Sequence, residues 1–393
     1  MDRPVTHDPA RRLPGEAAFS FESLSRQPDV EAENLQAHDA ADRLILDTAA
    51  ERLRGNGSGV VVIGDAYGAL TLGAAALHGV RGLRVHQDPY SGELALGRNA
   101  RAAGLADAYR PLPLDAELLS GARTVLLRLP RSLDALEEIA ALIAAHAAPD
   151  VAVYAGGRLK HMTMAMNSVL ERWFGSVAAG LARQKSRVLT VCGPLPAAEQ
   201  PANRFPLARR HDVGLPAPLE LRAHGAAFAG AALDIGTRFL LPHLAGARQA
   251  QTAVDLGCGT GAIAAYLALT RPDLRVIATD QSAAAVASAA ATMAANGVTD
   301  RVQVRRGDAL AGHPDRSAEL IVLNPPFHIG ASVHAGIALK LFADAGRVLA
   351  PGGELWTVWN SHLTYKSALA RLVGPTREVA RNPKFTVTVS TRR

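Results

Sequence analysis

The residues best suited to chemistry lie in two short runs of the second half. Leu320-Ile-Val-Leu-Asn-Pro-Pro-Phe327 ends an apolar strand-like run on an amide, two prolines and an aromatic ring. Val254-Asp-Leu-Gly-Cys-Gly-Thr-Gly-Ala-Ile263 sets Gly257, Gly259 and Gly261 at alternate positions behind an acid. The first pattern fits a planar exocyclic amine. The lone pair of such a nitrogen is delocalised into its ring, which makes it a poor nucleophile. Two acceptors, the Asn324 side-chain oxygen and the Pro325 carbonyl, would hold its N–H groups and favour a tetrahedral nitrogen. Pro326 stiffens that carbonyl, and Phe327 offers a face for stacking a base. No strong base is needed, because position and preorganised acceptors lower the barrier. A base entering such a pocket must be unpaired or flipped. The alternative for the same residues is a proline-rich turn after a strand.

The glycine run lets a backbone approach a ligand closely. A dinucleotide reading fits Gly257, Gly259 and Ala262, but Asp255 would then face a pyrophosphate. A carboxylate there better suits a cation, such as the ammonium of S-adenosylmethionine, which carries no phosphate. Asp280, followed by Gln281, ends the next strand, where a carboxylate accepts ribose hydroxyls. Asp308, followed by Ala309, comes after the third strand-like run, beside the expected adenine. The donor site is therefore expected from Asp255, Gly257, Cys258, Gly259, Gly261, Asp280, Gln281, Asp308, Ala309 and Asn324. Taken singly, each Asp also reads as a turn residue or helix cap. Cys258 has no neighbouring base and is not expected to act as a thiolate.

The elements that carry these residues occur twice. Gly59-Val-Val-Val-Ile63, Gly64-Asp-Ala-Tyr-Gly68 and a helical Ala69–Leu77 match the order strand, glycine turn, helix seen at Thr252–Leu269. Leu83-Arg-Val-His-Gln-Asp88 then parallels Leu274-Arg-Val-Ile-Ala-Thr-Asp280. Leu170, Gly175, Lys185 and Val188 recur as Leu369, Gly374, Lys384 and Val387 at one constant spacing, and Gly156-Gly157 reads as the partner of Gly352-Gly353. The pattern is an internal duplication of one α/β fold. Each copy should be a doubly wound, mostly parallel sheet with an antiparallel edge hairpin. Trp356 and Trp359 should face opposite sides of one strand, with one of them in the core. The expected boundaries are 1–200, a connecting segment over 201–222 within a proline-rich stretch, and 223–393. The first copy has lost the pattern: Ala66 and Tyr67 replace the central glycine and threonine, with the Tyr67 ring expected in the pocket. Leu127-Arg-Leu-Pro130 stands where the second copy has Asn-Pro-Pro-Phe.

With 393 residues, 48% hydrophobic and 20% charged, the chain has material for two full cores. Two cysteines exclude a disulfide scaffold and a four-cysteine zinc site. His313, His328 and His334 lack ligand spacing, so no metal is expected. No apolar run is long enough to span a bilayer, Met1–Gly15 lacks the apolar region of a signal peptide, and a cytoplasmic protein is expected. Charge is asymmetric. Residues 1–200 hold 21 Lys and Arg against 23 Asp and Glu, whereas residues 201–393 hold 21 against 13. A basic half attracts polyanions, and Arg204, Arg209, Arg210, Arg381 and Lys384 are the candidate RNA contacts.

Asn324-Pro-Pro-Phe-His328 with the Gly-Cys-Gly loop resembles the class I amino-methyltransferases. Leu233-Asp-Ile-Gly-Thr-Arg-Phe-Leu-Leu241 resembles the segment preceding the core in the ribosomal RNA guanine-N2 methyltransferases, in which a non-binding copy of the fold precedes the active one. The likeness runs from about residue 20 onward. Gly64-Asp-Ala-Tyr-Gly-Ala-Leu70 and Asn382-Pro-Lys-Phe385 look more like the large-subunit (23S) enzymes than the small-subunit (16S) ones. The resemblance implies two tandem Rossmann-like class I methyltransferase domains, S-adenosyl-L-methionine as donor, and Asn324, Pro325, Pro326 and Phe327 around the acceptor. Because a base must leave its stack to enter the pocket, naked or partly assembled ribosomal RNA is the expected substrate, and a monomer is expected. Two other readings stay open: methylation of a protein glutamine, where the same motif usually carries Tyr in place of Phe327, and a silent RNA-binding or assembly protein.

Overall fold

Val60-Val-Val-Ile63 and Leu320-Ile-Val-Leu323 are unbroken apolar runs, which a strand carries only where both sheet faces are covered. Every one of these eight residues is buried. The computed structural model describes residues 19–31, 35–55, 59–326 and 331–393; Phe327 and His328 lie outside them. The first sheet comprises β1 (Val60–Ile63), β2 (Leu83–His86), β3 (Tyr109–Pro111), β4 (Thr124–Arg128), β5 (Ala152–Arg158), β6 (Phe174–Ala179) and β7 (Ser186–Pro194). Its strand order is β3-β2-β1-β4-β5-β7-β6, with β7 antiparallel to both neighbours. The helices of this copy are α1 (Ala40–Gly55), α2 (Ala69–His78), α3 (Tyr90–Ala102), α4 (Ala116–Leu119), α5 (Leu133–His146) and α6 (Met164–Glu171).

A hairpin of β8 (Leu207–His211) and β9 (Leu219–Ala223) follows. The second copy repeats the topology with β10 (Thr252–Leu256), β11 (Arg275–Asp280), β12 (Val302–Arg306), β13 (Ala318–Leu323), β14 (Leu349–Asn360), β15 (Thr376–Arg381) and β16 (Phe385–Thr391). Their order is β12-β11-β10-β13-β14-β16-β15. Its helices are α7 (Ile235–Leu240), α8 (Ala262–Thr270), α9 (Ala283–Ala295), α10 (Ala331–Val348) and α11 (Lys366–Leu372). Trp356 and Trp359 do point to opposite faces, but both are core, in the clusters on either side of the sheet. A sheet covered on both faces has no solvent side for the second ring.

Registers establish which residues are equivalent. Val62 lies beside Leu126 in the first sheet, and Asp255 beside Val322 in the second. Val188 and Val387 occupy matching places in β7 and β16, as the constant spacing predicts. The two diglycines do not correspond. Gly156 and Gly157 lie within β5 opposite Val188 and Arg187, whereas Gly352 and Gly353 precede the residues of β14 that pair with β16.

The proline-rich connecting segment carries the β8–β9 hairpin. β9 lies along α9 and its N–H groups are accepted by that helix's side chains: Glu220 by Asn296, Arg222 by Thr292 and His224 by Ser288. The copies also dock through the loops after their second strands. Tyr90 N–H donates to the Gln281 carbonyl at 2.9 Å, and Ala283 N–H donates to the Asp88 carbonyl at 2.9 Å. Tyr90 and Ala283 both open the helix after the second strand, so the two bonds are related by local twofold symmetry. Arg306 reinforces the contact through Glu93 and the Gln87 and Asp88 carbonyls.

Candidate active site

β10 and β13 are neighbours at the point where the strand order reverses, the place where open α/β sheets bind ligands. A cavity of about 440 Å³ lies there, at the carboxyl ends of the strands. It is lined by the glycine loop, by Thr279–Ser282, by Gly307–Ala309 and by Asn324–Pro326. The first copy adds Pro28, Asp29, Val30, Asp88 and Ser91. Among the described residues its wall carries five carboxylates (Asp29, Asp88, Asp234, Asp280 and Asp308) against one ammonium, Lys340. That ammonium is 2.6 Å from both oxygens of Asp308. Such a wall repels a pyrophosphate and suits a cationic ligand, so the residues fit S-adenosylmethionine better than a dinucleotide.

Gly257 and Gly259 have positive φ, +70° and +53°, and a Cβ at either would meet nothing. The open space on the loop is left to a ligand. Gly261 differs: a Cβ there would lie 2.7 Å from Met293 and 3.0 Å from Ala289. Its bareness serves the packing of α8 on α9, so the expectation of a ligand contact is corrected. Asp255 is corrected too. It is fully buried and absent from the cavity wall. Strand alternation turns it towards α8, where Oδ2 accepts the Ala264 N–H at 2.9 Å. Burial pushes its carboxyl up to about 7, and Oδ1 has no partner.

Asp280 lines the cavity and organises it. Oδ2 accepts the Gly259 N–H and Oδ1 the Ser282 N–H, both at 2.9 Å, and each oxygen keeps a lone pair. Burial raises its pKa against these bonds. Gln281 lines the cavity while its side-chain oxygen accepts the Ser91 hydroxyl of the first copy. Asp88 reaches across in return, its Oδ1 accepting from Ser282 Oγ and Ala284 N. Asp308 and Ala309 are on the wall, with Asp308 engaged by Lys340. Cys258 is on the wall, and burial holds its thiol well above the usual range.

Asn324 closes the acceptor end. Nδ2 donates to Asp234 Oδ2 at 2.8 Å and to Thr237 Oγ1 at 3.0 Å, and Oδ1 is buried without a partner among the described residues. Asp234 caps α7, its Oδ2 also accepting the Thr237 N–H. The crossing is tight. A Cβ at Gly236 would lie 3.1 Å from Asp234 Oδ2 and 3.2 Å from Phe385. Sequence reading assigned Asp234, Thr237, Gly236 and Lys340 no task. The legible signal was Asp234 three residues before Thr237, a helix start.

The basic candidates divide. Arg204 is committed within the first copy, to Asp134 and Glu137 at 2.6 Å, with its guanidinium over Phe205. Arg210 pairs with Glu220 across the hairpin. Both side chains are exposed, but each is already paired with an acid that an RNA phosphate would have to displace. Arg209, Arg381 and Lys384 are exposed, Lys384 with its ammonium 5.4 Å from the Phe385 ring. Among the described residues no helix is long and apolar enough to cross a membrane.

Fold and cavity together define a class I methyltransferase in which only the second copy keeps the open glycine loop. Residues 218–389 match the methyltransferase small domain family, and residues 16–195 match the RLMG N-terminal domain family. The chain is 38% identical over 370 residues to the ribosomal RNA large subunit methyltransferase G of Pseudomonas fluorescens, covering 94% of this chain and 97% of that protein. It is 37% identical to the protein of the same name from Streptomyces coelicolor, covering 93% and 96%. The chain belongs to the ribosomal RNA large subunit methyltransferase G family. Its fold also matches the T. thermophilus 16S rRNA N2 G1207 methyltransferase solved with AdoMet and guanosine, with a TM-score of 0.72 at 21% identity, over 91% of this chain and 92% of that one.

Proposed function

We propose that the protein methylates the exocyclic N2 amine of a guanine in large-subunit ribosomal RNA, with S-adenosylmethionine as donor. The observation that carries this reading is the Asn324 amide: Nδ2 is tied back to α7, leaving a buried acceptor oxygen at a cavity walled by acids. Relatives over nearly the whole length carry the ribosomal RNA methyltransferase name. Gly257, Gly259, Asp280, Gln281 and Asp308 would hold the donor, which when bound supplies a methyl group on a sulfonium centre. Asn324 Oδ1 and the Pro325 carbonyl accept the two N–H bonds of the base and localise its nitrogen lone pair. Pro326 fixes the carbonyl; Phe327, outside the described residues, is the candidate from sequence for stacking on the base. The nitrogen would take the methyl group as its bond to sulfur breaks, leaving a neutral thioether, and the cationic nitrogen would then lose one proton to solvent; orientation and preorganised acceptors lower the barrier without a general base.

A guanine reaching Asn324 cannot remain stacked in a duplex, so deproteinised or partly assembled RNA is the expected substrate and a mature subunit a poor one. The test is methyl transfer to deproteinised ribosomal RNA, mature subunits and total protein, followed by nucleoside analysis. N2-methylguanosine in the RNA is expected. Label in a protein glutamine, with none in RNA, overturns the reading.

A further inference from the structure

We propose that Asp234 and Thr237 are positioning residues that fix which end of the Asn324 amide faces the acceptor, and so make the site select a base that carries an amino group. This rests on the amine-methylating reading above.

An asparagine amide offers a donor end and an acceptor end of nearly the same shape. Only the oxygen end can receive an N–H of the substrate. If the amide turned over, its NH₂ would meet the substrate's NH₂, and the site would repel the group it must hold. Nothing in Asn324 itself prevents this. The structure supplies two acceptors on one side: Asp234 Oδ2 at 2.8 Å and Thr237 Oγ1 at 3.0 Å from Nδ2. Both N–H bonds of the amide are thereby used, and Oδ1 is the buried end left without a partner among the described residues, on a side chain that lines the cavity. Turning the amide over would set its oxygen against the Asp234 carboxylate and forfeit that bond, although the Thr237 hydroxyl could then donate to the oxygen, so Asp234 is the residue that fixes the orientation.

The two acceptors are held as firmly as the amide. Asp234 Oδ2 also takes the Thr237 N–H, so the first turn of α7 locks the pair. Thr237 is buried. Gly236 lets this turn approach, since a side chain there would press on Asp234 and Phe385 and stand 3.6 Å from Nδ2. The amide is therefore preorganised before any substrate arrives, which is where an acceptor gains its value.

The experiment separates orientation from folding. Asp234→Ser keeps a good helix cap but is too short to reach Asn324. Asp234→Asn keeps an oxygen at the same reach. Thr237→Val removes one acceptor at constant shape. Each variant is compared with wild type for donor affinity, for turnover on guanine RNA, and for binding to the same RNA with inosine at the target, which lacks only the 2-amino group. Wild type should bind guanine RNA more tightly than inosine RNA. Asp234→Ser should lower turnover roughly tenfold or more and reduce the guanine-to-inosine binding ratio several-fold, because a lost or reversed hydrogen bond is worth about that much. Thr237→Val should do the same more weakly, and Asp234→Asn should recover most of both. Donor affinity should stay within about twofold throughout. An unchanged guanine-to-inosine ratio in Asp234→Ser, whatever happens to turnover, overturns the proposal, as does an Asp234→Asn variant no better than Asp234→Ser. A wild-type enzyme that methylates no guanine and does not distinguish the two RNAs overturns the underlying reading instead.

Discussion

Arg128 and Asn324 stand at the same point of the two copies, one residue past matching positions at the end of the fourth parallel strand. Each is tied to the opening turn of the helix that precedes its copy's first strand. Arg128 bonds Asp39 through both guanidinium ends and Asp42 at 2.7 Å. Asn324 bonds Asp234 and Thr237, which are likewise three residues apart. The frame is the same and the chemistry is opposite. A guanidinium has donors only, and here it is answered by two carboxylates, so no acceptor is left for a ligand. A neutral amide uses its donors on the frame and keeps an acceptor over.

The glycine loops diverge in the same manner. In the first copy Asp65 accepts the Leu70 and Thr71 N–H groups, and the Ala66 carbonyl lies where any side chain at Gly92 of α3 would strike it. Tyr67 stands where the second loop has Thr260, since Gly64 N–H and Gly257 N–H make matching bonds to the His86 and Thr279 carbonyls. Its hydroxyl donates to Asp29 at 2.6 Å, and its ring lies under Arg26, anchoring the segment that carries Pro28–Val30 to the second copy's cavity. The first copy has thus exchanged ligand contacts for internal ones, and some of those internal contacts wall its neighbour's site.

The largest effects should come from the matched pair. Asn324→Ala should lower turnover by about 10²–10³, the cost of one preorganised polar group, with a much smaller change in donor affinity. Arg128→Ala should leave turnover near wild type while lowering stability by about 3 kcal/mol, since Asp42 would be left buried and unpaired. Steady-state kinetics and thermal melts check both. A kinetic defect in Arg128→Ala equal to that of Asn324→Ala would end the distinction between the copies.

Calorimetric titration should find one donor bound per chain. Asp280→Ala, which removes the acceptor for the Gly259 N–H, should weaken the donor by about 10- to 100-fold. Two equivalent donor sites would show that the first loop still binds.

The buried acid of the second loop gives a pH signature. Asp255 has a folded-state pKa of about 7, against about 4 in the unfolded chain. Between those values the folded state holds a proton that the unfolded chain has released. This group's favourable contribution is therefore complete below about pH 4 and is lost as pH rises through 7. Asp255→Asn keeps an acceptor for Ala264 and does not titrate. Its advantage in stability over wild type should grow from pH 5 to pH 8 by roughly 2–3 kcal/mol. An advantage that stays flat from pH 5 to pH 8 would show that Asp255 is ionised in the fold.

The smallest effect concerns the charged surface of the second copy. Replacing Arg381 and Lys384 with Ala should flatten the logarithmic salt dependence of RNA binding by roughly one unit per lost phosphate contact. The matched change at Arg204 should leave the slope alone, because that cation is already paired.

What the sequence determined by itself was everything carried by local pattern. Unbroken apolar runs such as Leu320–Leu323 specify strands covered on both faces. The glycine run specifies a tight turn into a helix. The recurrence of Lys185 and Val188 as Lys384 and Val387 specifies one fold built twice. Asn324 and Asp280 were legible because their chemistry is stated by their own type and by the strand they end. The tertiary structure alone decided how the side chains are spent. Asp255 and Asp280 are both acids beside a glycine loop, yet α8 packs over one while the other faces the cavity. Arg204 and Arg381 are both surface arginines in sequence, yet α5 brings two acids to the first. Asp234 and Asn324 are 90 positions apart, and no period or motif links them. Their bond exists because the start of α7 meets the end of β13 at the cavity, and that contact spends both N–H groups of Asn324 and leaves its oxygen.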